Sequence, residues 1–286
     1  MWNARELSVE YRQVMAKRIA GDPEYVGWRT GFYSLDKEMR YRPGEFWIIA
    51  AATSVGKSAL MQSMQRRCPV PSVTFSLEMS RTQMLDRLFA AEAEVDAWKL
   101  STGALRSDDI LRVEDAIKRF ESTDIQIADD PSLTTSSIET ILRIAPWIRV
   151  VYVDYAGLLL DRDGESRYVQ MSNVSHALKR TALSANVCIV AASQVNRKGD
   201  RKSGEPPFID EIRDSGVVGE DADVILALGR AEGASEAKLA VRKARNALAG
   251  YSIPLTFDAV HAQFLEPSEA RREKPEPREV REELPF

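Results

Sequence analysis

The chain has 286 residues, 44% hydrophobic and 29% charged, so it can bury a sizeable core and has an ordinary globular composition. Its formal net charge of -4 argues against a protein that coats nucleic acid by bulk electrostatics, so any nucleic-acid site must be focal. Cys68 and Cys188 are too few for a thiolate-rich metal site, and we expect both to be buried, reduced thiols.

Membrane and export signals are not expected in this sequence. The first residues, MWNARELSVEYRQ, are charged and polar rather than apolar. No later run approaches the ~20 apolar residues that are needed to cross a bilayer. We therefore expect a cytoplasmic protein without membrane contact.

The first predicted element is a helix over residues 3–19. Leu7, Tyr11, Val14 and Arg18 recur at helical spacing and share one side of it. Such a stripe commonly packs on its own domain. A helix this isolated, followed by Gly-Asp-Pro, can instead dock on a neighbouring subunit, and the sequence leaves both interpretations open.

Residues 46–62, FWIIAAATSVGKSALMQ, predict a strand, a loop and a helix in that order. Such a loop binds phosphate because backbone N–H groups and the positive end of the helix converge on one point. Gly56 permits close backbone approach, Lys57 can reach the β- and γ-phosphates of ATP, and Ser58 can place its hydroxyl on Mg²⁺. The pattern G-x-x-x-x-G-K-[ST] is incomplete, since Ala51 holds the first glycine position. A chance Gly-Lys-Ser in a turn is the alternative, which the flanking strand and helix disfavour.

Strands and helices alternate beyond this loop. Further strands are predicted over residues 72–77, 125–128, 149–154 and 187–192, and helices after Ser80 and over residues 107–120, 136–144 and 174–183. The last strands, over residues 223–228, 237–242 and 251–257, have no long helix between them, which indicates antiparallel additions to the sheet.

This alternation predicts one α/β domain over residues 27–265, with a mainly parallel central sheet flanked by helices and antiparallel strands at its C-terminal end. A helical arm over residues 1–20 precedes it. Residues 266–286 are dense in Pro, Glu and Arg, and we expect a disordered tail there.

Three polar residues follow predicted strands, where open α/β sheets bind ligands. Asp154 can hold the Mg²⁺ shell, Glu78 can orient an attacking water, and Gln194 can hydrogen-bond that water or the γ-phosphate. Each has a simpler interpretation, because an Asp at a strand end often caps a helix or forms a turn. A Glu in a first helical turn is often solvated.

Eight motifs follow one another along the chain: Gly31-Phe32-Tyr33-Ser34-Leu35-Asp36, Pro43-Gly44-Glu45, residues 51–58, Phe75-Ser76-Leu77-Glu78-Met79-Ser80, Val153-Asp154-Tyr155, Ser193-Gln194-Val195-Asn196-Arg197, Arg213-Asp214-Ser215-Gly216 with Glu220-Asp221-Ala222-Asp223, and Lys243-Ala244-Arg245-Asn246. In this order they resemble the RecA-like motor domain of the DnaB family of replicative helicases. The resemblance covers the chain from residue 27 to about 267, and the family uses a similar residue at the position of Ala51.

The resemblance implies roles for individual residues. The nucleotide would be bound by Asp154 and by the loop residues Ala51, Ala52, Thr53, Ser54, Val55, Gly56, Lys57 and Ser58, with Ser58 and Asp154 on Mg²⁺. Glu78 would be the catalytic carboxylate, and Gln194 would couple the nucleotide state to DNA-binding loops. Lys243 and Arg245 match the basic pair that the family inserts into the adjacent subunit's site, although two basic residues at a strand edge are commonly just solvated.

The same resemblance implies contacts with single-stranded DNA in a central pore. Arg213, Asp214 and Gly216 match the segment that grips the DNA backbone in the family. Arg162 and Arg167 lie in the loop after the strand that ends at Asp154, and they are further candidates. An exposed, salt-bridged loop is their alternative interpretation.

The expected protein is therefore a ring-shaped homo-oligomer, hexameric in the family, that uses ATP to translocate 5′ to 3′ on single-stranded DNA and to unwind duplex. It would act in a bacterial cell or phage-infected host, with a helicase loader and a primase as partners. The family's N-terminal collar domain is replaced here by the short arm, which suggests a phage- or plasmid-type helicase or a truncated chain. A recombination filament ATPase and an ATP-switched DNA-loading module are the alternatives.

Overall fold

Runs of β-branched and aromatic residues form one central sheet in the computed structural model, which describes residues 2–161, 166–195, 204–212 and 219–272. The strands in these segments are β1 (Phe46–Ala51), β2 (Ser72–Ser76), β3 (Ile125–Ala128), β4 (Val150–Asp154), β5 (Cys188–Gln194), β6 (Val224–Arg230), β7 (Glu236–Ala244), β8 (Ser252–Asp258) and β9 (Gln263–Leu265). Their order across the sheet is β3-β2-β4-β5-β1-β6-β7-β8-β9. The pairs from β3 through β6 are parallel, and those from β6 through β9 are antiparallel. The predicted sheet architecture is confirmed.

Helices connect and cover the strands. They are α1 (Ala4–Ile19), α2 (Pro23–Val26), α3 (Tyr33–Asp36), α4 (Lys57–Arg67), α5 (Arg81–Ala93), α6 (Ala97–Thr102), α7 (Ser107–Phe120), α8 (Thr135–Ile144), α9 (Arg167–Ala185) and α10 (Pro267–Arg272). The predicted helix at residues 107–120 matches α7, and Ser80 caps α5 as expected, accepting a hydrogen bond from the backbone N–H of Gln83.

Helices cover both faces of the sheet, and successive side chains of β1 point to opposite faces, so β1 contributes to the core on both sides. Trp47 and Ile49 belong to one hydrophobic cluster, with Leu60 of α4. Phe46 and Ile48 belong to the other cluster, with apolar residues of α8 and α9. β1 is therefore buried along its whole length and packed by side chains on both faces.

The motif at residues 31–36 has a structural role. The carboxylate of Asp36 accepts hydrogen bonds from the Thr30 backbone N–H (2.6 Å) and the Thr30 hydroxyl (2.8 Å). Gly31 has a φ of +87°, and a Cβ there would lie 2.2 Å from the Cβ of Arg67. The Glu266 carboxylate accepts the backbone N–H groups of Tyr33 and Ser34, so the two ends of the domain are joined at this motif.

The structure corrects the expectation of a disordered tail starting at residue 266. Glu266 is buried, and the six residues after it form α10. Glu269 of this helix forms an ion pair with Arg67 (3.0 Å). The composition of residues 266–286 does not indicate this short helix, because its ion-pair partner, Arg67, lies 202 residues before Glu269. Residues 273–286 lie outside the described part of the chain.

The residues of the predicted arm form the helix α1, with Asn3 and Glu6 in a capping box. None of its residues is buried, and Leu7 and Tyr11 of the predicted stripe are 49% and 61% exposed. The stripe therefore has no buried position on its own domain. In the described part of the chain, no helix has both the length and the apolar character to span a bilayer.

Candidate functional site

The loop between β1 and α4 has the backbone shape that phosphate binding requires. Gly56 caps α4 with a φ of +112°, and Ser54 also has a positive φ, +65°. A Cβ at position 56 would lie 2.9 Å from a ring carbon of Phe264. The N–H groups of the first turn of α4 have no acceptor within the helix, so they remain available to an anion at this end.

Arg230, at the end of β6, holds this loop in place. Its guanidinium donates hydrogen bonds to the carbonyls of Val55 (2.9 Å) and Ser54 (3.1 Å), and a third to Ala234 (2.9 Å). The same group lies 4.5 Å from the ring centroid of Phe257. Sequence reasoning missed Arg230, because nothing in an Arg after an apolar strand identifies a partner 175 positions earlier.

The strand order brings the predicted catalytic residues to one edge of the sheet. β2, β4, β5 and β1 are consecutive neighbours, and their carboxyl ends lead to Glu78, Asp154, Gln194 and the loop. Ser76 pairs with Asp154, and Ala51 pairs with Gln194.

Above this edge lies a cavity of about 540 Å³. Loop residues, Glu78, Gln194, Arg230 and Phe257 line it. Asp154, the last residue of β4, is not among the lining residues. A cavity of this size is in the range of nucleotide-sized ligands.

Lys57 lies in a partly dehydrated position. Burial lowers the pKa of its ammonium group, while the negative charges of Asp154 and Glu78 oppose that shift. Its Nζ lies 4.6 Å from the centroid of the Tyr155 ring. The buried ammonium group of Lys57 can bind a phosphate, and the nearby carboxylates of Asp154 and Glu78 can bind the metal ion or water that accompanies it.

Asp154 and Ser58 fit a Mg²⁺ site. Asp154 is 4% exposed, and its Oδ1 accepts no hydrogen bond from any described group of the protein. A buried carboxylate oxygen without a partner is costly, and a hard cation that prefers oxygen ligands would satisfy it. Ser58 follows Lys57 in the first turn of α4, where its hydroxyl can complete the set.

Lys243 and Arg245 lie at the opposite edge of the sheet. Lys243 pairs with Ile225, which also pairs with Ile48, and the backbone N–H of Arg245 donates to the carbonyl of Asp223 at the start of β6. Asp223 in turn donates its backbone N–H to the carbonyl of Phe46, so Arg245 lies at the level of Phe46. Five residues of β1 separate that level from the loop, about 16 Å at the rise of a strand, which an arginine side chain does not span. Lys243 lies three residues of β1 from the loop, and its Nζ donates to the carbonyl of Gly219 on the amino side of the sheet.

The predicted DNA contacts are placed only in part. Arg162, Arg213, Asp214 and Gly216 lie outside the described residues. Arg167 begins α9, and its side chain is also outside the described part. These assignments stay predictions.

The sheet order and the loop between β1 and α4 together define a RecA-like fold with a phosphate-binding loop of the P-loop type. Residues 27–266 match the family described as the DnaB-like helicase C terminal domain, and the chain belongs to that family.

Individual proteins agree with this assignment. The replicative DNA helicase DnaB of Treponema pallidum (strain Nichols) is 33% identical over 257 residues, covering 87% of this chain and 58% of that protein. A solved DnaB-like replicative helicase, described with its interactions with primase, matches with 25% identity and a TM-score of 0.79 over 90% of this chain and 65% of that one. A solved ATPase domain matches with 25% identity and a TM-score of 0.83, covering 92% of this chain and 99% of that domain. The chain spans 54–59% of the length of seven curated relatives that it matches.

Proposed function

We propose that the chain is the motor of a ring-shaped, ATP-driven helicase that moves 5′ to 3′ on single-stranded DNA and unwinds duplex. The observation that carries this proposal is the separation of the site residues between two edges of one sheet. Membership of the DnaB-like helicase family supports DNA as the substrate. A hexameric ring is the proposed assembly.

The separation argues for a site shared between subunits. The phosphate-binding loop lies at the carboxyl edge of the parallel strands, and Lys243 and Arg245 lie at the amino edge. If these cations act on nucleotide at all, they act on that of a neighbour. A head-to-tail interface of this kind generates a closed ring or an open helix.

Within one subunit, we assign the roles as follows. Lys57 and the N–H groups of the loop hold the β- and γ-phosphates of ATP, and Ser58 and Asp154 hold Mg²⁺. Mg²⁺ supplies neutralisation of phosphate charge when bound. Glu78 orients the attacking water and accepts its proton, and Gln194 hydrogen-bonds the γ-phosphate or that water.

Arg230 and Phe257 line the side of the cavity next to the loop. The planar guanidinium over the aromatic ring offers a surface against which a nucleoside can stack.

Arg245 of the next subunit completes the proposed site. A guanidinium that approaches the transferring phosphoryl group stabilises its transition-state charge, which is worth about 10³ to 10⁵ in rate where it has been measured. Lys243 adds a second positive charge beside it. Isolated subunits should therefore be nearly inactive.

The arm and the DNA contacts belong to the same assembly. The exposed stripe of α1 is proposed to dock on the neighbouring subunit, which would bury Leu7 and Tyr11. Arg213, Asp214 and Gly216, with Arg162 and Arg167, are proposed to face single-stranded DNA, where backbone contacts give strong salt dependence and little sequence preference. A helicase loader and a primase remain proposed partners.

DNA-stimulated ATPase and forked-duplex unwinding by wild type and Arg245→Ala test the proposal. The matched control is Lys238→Ala, which removes an exposed basic residue at the other end of β7. We expect rings in negative stain, and an ATPase rate about 10³-fold lower in assembled Arg245→Ala but unchanged in Lys238→Ala.

Three outcomes count against the proposal. Wild-type ATPase in assembled Arg245→Ala would overturn the shared site. Open filaments would indicate a recombination ATPase instead. DNA-stimulated ATPase without unwinding would indicate a loading module.

A further inference from the structure

A buried polar cluster lies at the amino edge of the sheet, away from the nucleotide cavity. Its centre is Asp223, which is 5% exposed. The Asp223 carboxylate accepts hydrogen bonds from the Phe46 backbone N–H (2.8 Å), from Lys179 Nζ (2.5 Å) and from Arg245 Nη1 (3.2 Å). Three donors, from β1, from α9 and from the residue after β7, therefore converge on one side chain.

Arg245 is fixed from two directions by this cluster. Besides its bond to Asp223, its Nη2 donates to the carbonyl of Glu220 (2.5 Å). The side chain is nevertheless 47% exposed. A free arginine loses rotamer entropy when it is fixed, so this pre-orientation removes part of a cost that would otherwise fall on complex formation.

The backbone next to Arg245 is held as well. Asn246 donates to the buried carboxylate of Glu45 (3.2 Å), whose other oxygen accepts the indole N–H of Trp47 (2.8 Å). The chain that carries the arginine is thus attached to the start of β1 through Asn246 and to β6 through Ala244, which pairs with Val224.

Charge neutralisation alone does not explain the bond to Arg245. Lys179 already neutralises Asp223, and it also donates to the carbonyl of Gly44 (2.9 Å). A second, half-exposed cation on a carboxylate that is already paired adds little stability, because such a pair remains in contact with water. What the bond does determine is the direction in which the guanidinium points.

We propose that Asp223 is a positioning residue for Arg245, holding its guanidinium in the orientation that engages the nucleotide of the neighbouring subunit. This inference rests on the proposed shared site. Asp223 itself contacts no nucleotide, and its effect passes through Arg245 to the next subunit's phosphates.

Asp223→Asn is the first test, because it keeps the size of the side chain and replaces one acceptor oxygen with an NH₂ donor. The matched control is Asp109→Asn, another 5% exposed carboxylate, which pairs with Arg112 of α7 (2.6 Å) and Lys99 of α6 (3.6 Å). We expect kcat for ATP in the assembled Asp223→Asn ring to fall about 10- to 100-fold, since a displacement of about 1 Å can cost 10²-fold. KM for ATP should change less than about 2-fold, because the loop that binds ATP is untouched. Asp109→Asn should keep the wild-type kcat.

Mixing subunits separates action in trans from damage to the subunit's own loop. Lys57→Ala subunits lack the phosphate-binding lysine but carry an intact Arg245. If Asp223 acts only through the neighbour's site, a one-to-one mixture of Asp223→Asn and Lys57→Ala subunits regains activity above either sample alone. Random mixing gives about a quarter of the interfaces Lys57 on one subunit and the intact Asp223–Arg245 pair on the other. If the mixture stays inactive, Asp223 acts within its own subunit, through its hydrogen bond to Phe46 at the start of β1, and the inference is overturned.

The same mixture with Arg245→Ala in place of Asp223→Asn tests the shared site itself. Failure of the Arg245→Ala mixture refutes the proposed function, whereas its success with failure of the Asp223→Asn mixture refutes only the positioning role.

A double-mutant cycle closes the argument. Asp223→Asn should not lower kcat further in an Arg245→Ala background, and additive losses would contradict action through Arg245. Loss of folding or assembly in Asp223→Asn, with Asp109→Asn intact, would assign the carboxylate to the frame of the sheet and overturn the inference.

Discussion

Replacing Arg230 with lysine should weaken nucleotide binding by about tenfold without unfolding the protein. The guanidinium of Arg230 bonds two carbonyls of the phosphate-binding loop and a third in the turn after β6. Lysine keeps the charge but has no planar fork, so it cannot donate to all three carbonyls in this geometry.

The magnitude follows from the bonds that are lost. A hydrogen bond from a charged group contributes about 1.5–3 kcal/mol, and the lower end applies here because water can reach part of this site. The loss of one such bond to the loop, about 1.5 kcal/mol, corresponds to about a tenfold change in Kd. The weaker contact with the Phe257 ring adds to this loss in the same direction.

Titration with a fluorescent ATP analogue measures this effect, and Arg242→Lys is its control. Arg242 donates to two carbonyls, those of Pro207 (2.8 Å) and Pro206 (2.7 Å), and lies 4.4 Å from the centroid of Phe208. Its contacts match those of Arg230 in kind but do not touch the loop. Wild-type affinity in Arg230→Lys, or an equal loss in Arg242→Lys, would show that the bonds of Arg230 to the loop do not support nucleotide binding.

Three further predictions concern other parts of the structure. Gly56→Ala should abolish tight nucleotide binding in the same titration, because a side chain in the left-handed backbone costs about 1–2 kcal/mol and the new methyl group would contact Phe264. The control Gly103→Ala should bind nucleotide normally, because Gly103 also has a positive φ (+73°) but lies in open space. Burial raises the pKa of Cys68 to about 11 and that of Cys188 further above its usual value, so both thiols stay protonated at pH 8. A disulfide reagent should react with neither until the protein is denatured, and fast reaction of the native protein would contradict the burial. Leu7→Asp should lower the mass of the assembly in light scattering while the unfolding midpoint of the subunit stays constant, because α1 buries no residue in its own chain; unchanged assembly would exclude α1 docking.

The parts of the fold that local residue types determine could be predicted from the sequence. The strand, loop and helix at residues 46–62 are specified within 17 positions, because Gly56 must adopt a positive φ and the flanking runs have clear periodicities. The position of Asp154 at the end of a buried strand could be predicted, because a β-branched run ends at this carboxylate.

The parts that depend on distant partners could not be predicted. Arg230 acts through Ser54 and Val55, and α10 is fixed by Arg67, both far away in the chain. β9 has three residues, too few for a period to be seen, and its Phe264 is placed by packing on Gly56. Periodicity carries no information about such pairings.

The direction of β7 explains why Arg245, in the motif at residues 243–246, cannot reach the phosphate-binding loop of its own chain. β6 runs parallel to β1, so its carboxyl end approaches the phosphate-binding loop at Arg230. β7 is antiparallel to β6, and its last residue, Ala244, pairs with Val224 at the amino edge. Had β7 been parallel, Arg245 would follow it at the edge where the loop lies. The reversal instead places the backbone of Arg245 at the level of Phe46, five residues of β1 before the loop, which is about 16 Å at a rise of about 3.3 Å per residue. In the proposed ring, a single hairpin therefore makes each subunit dependent on the next for the charge that completes its site.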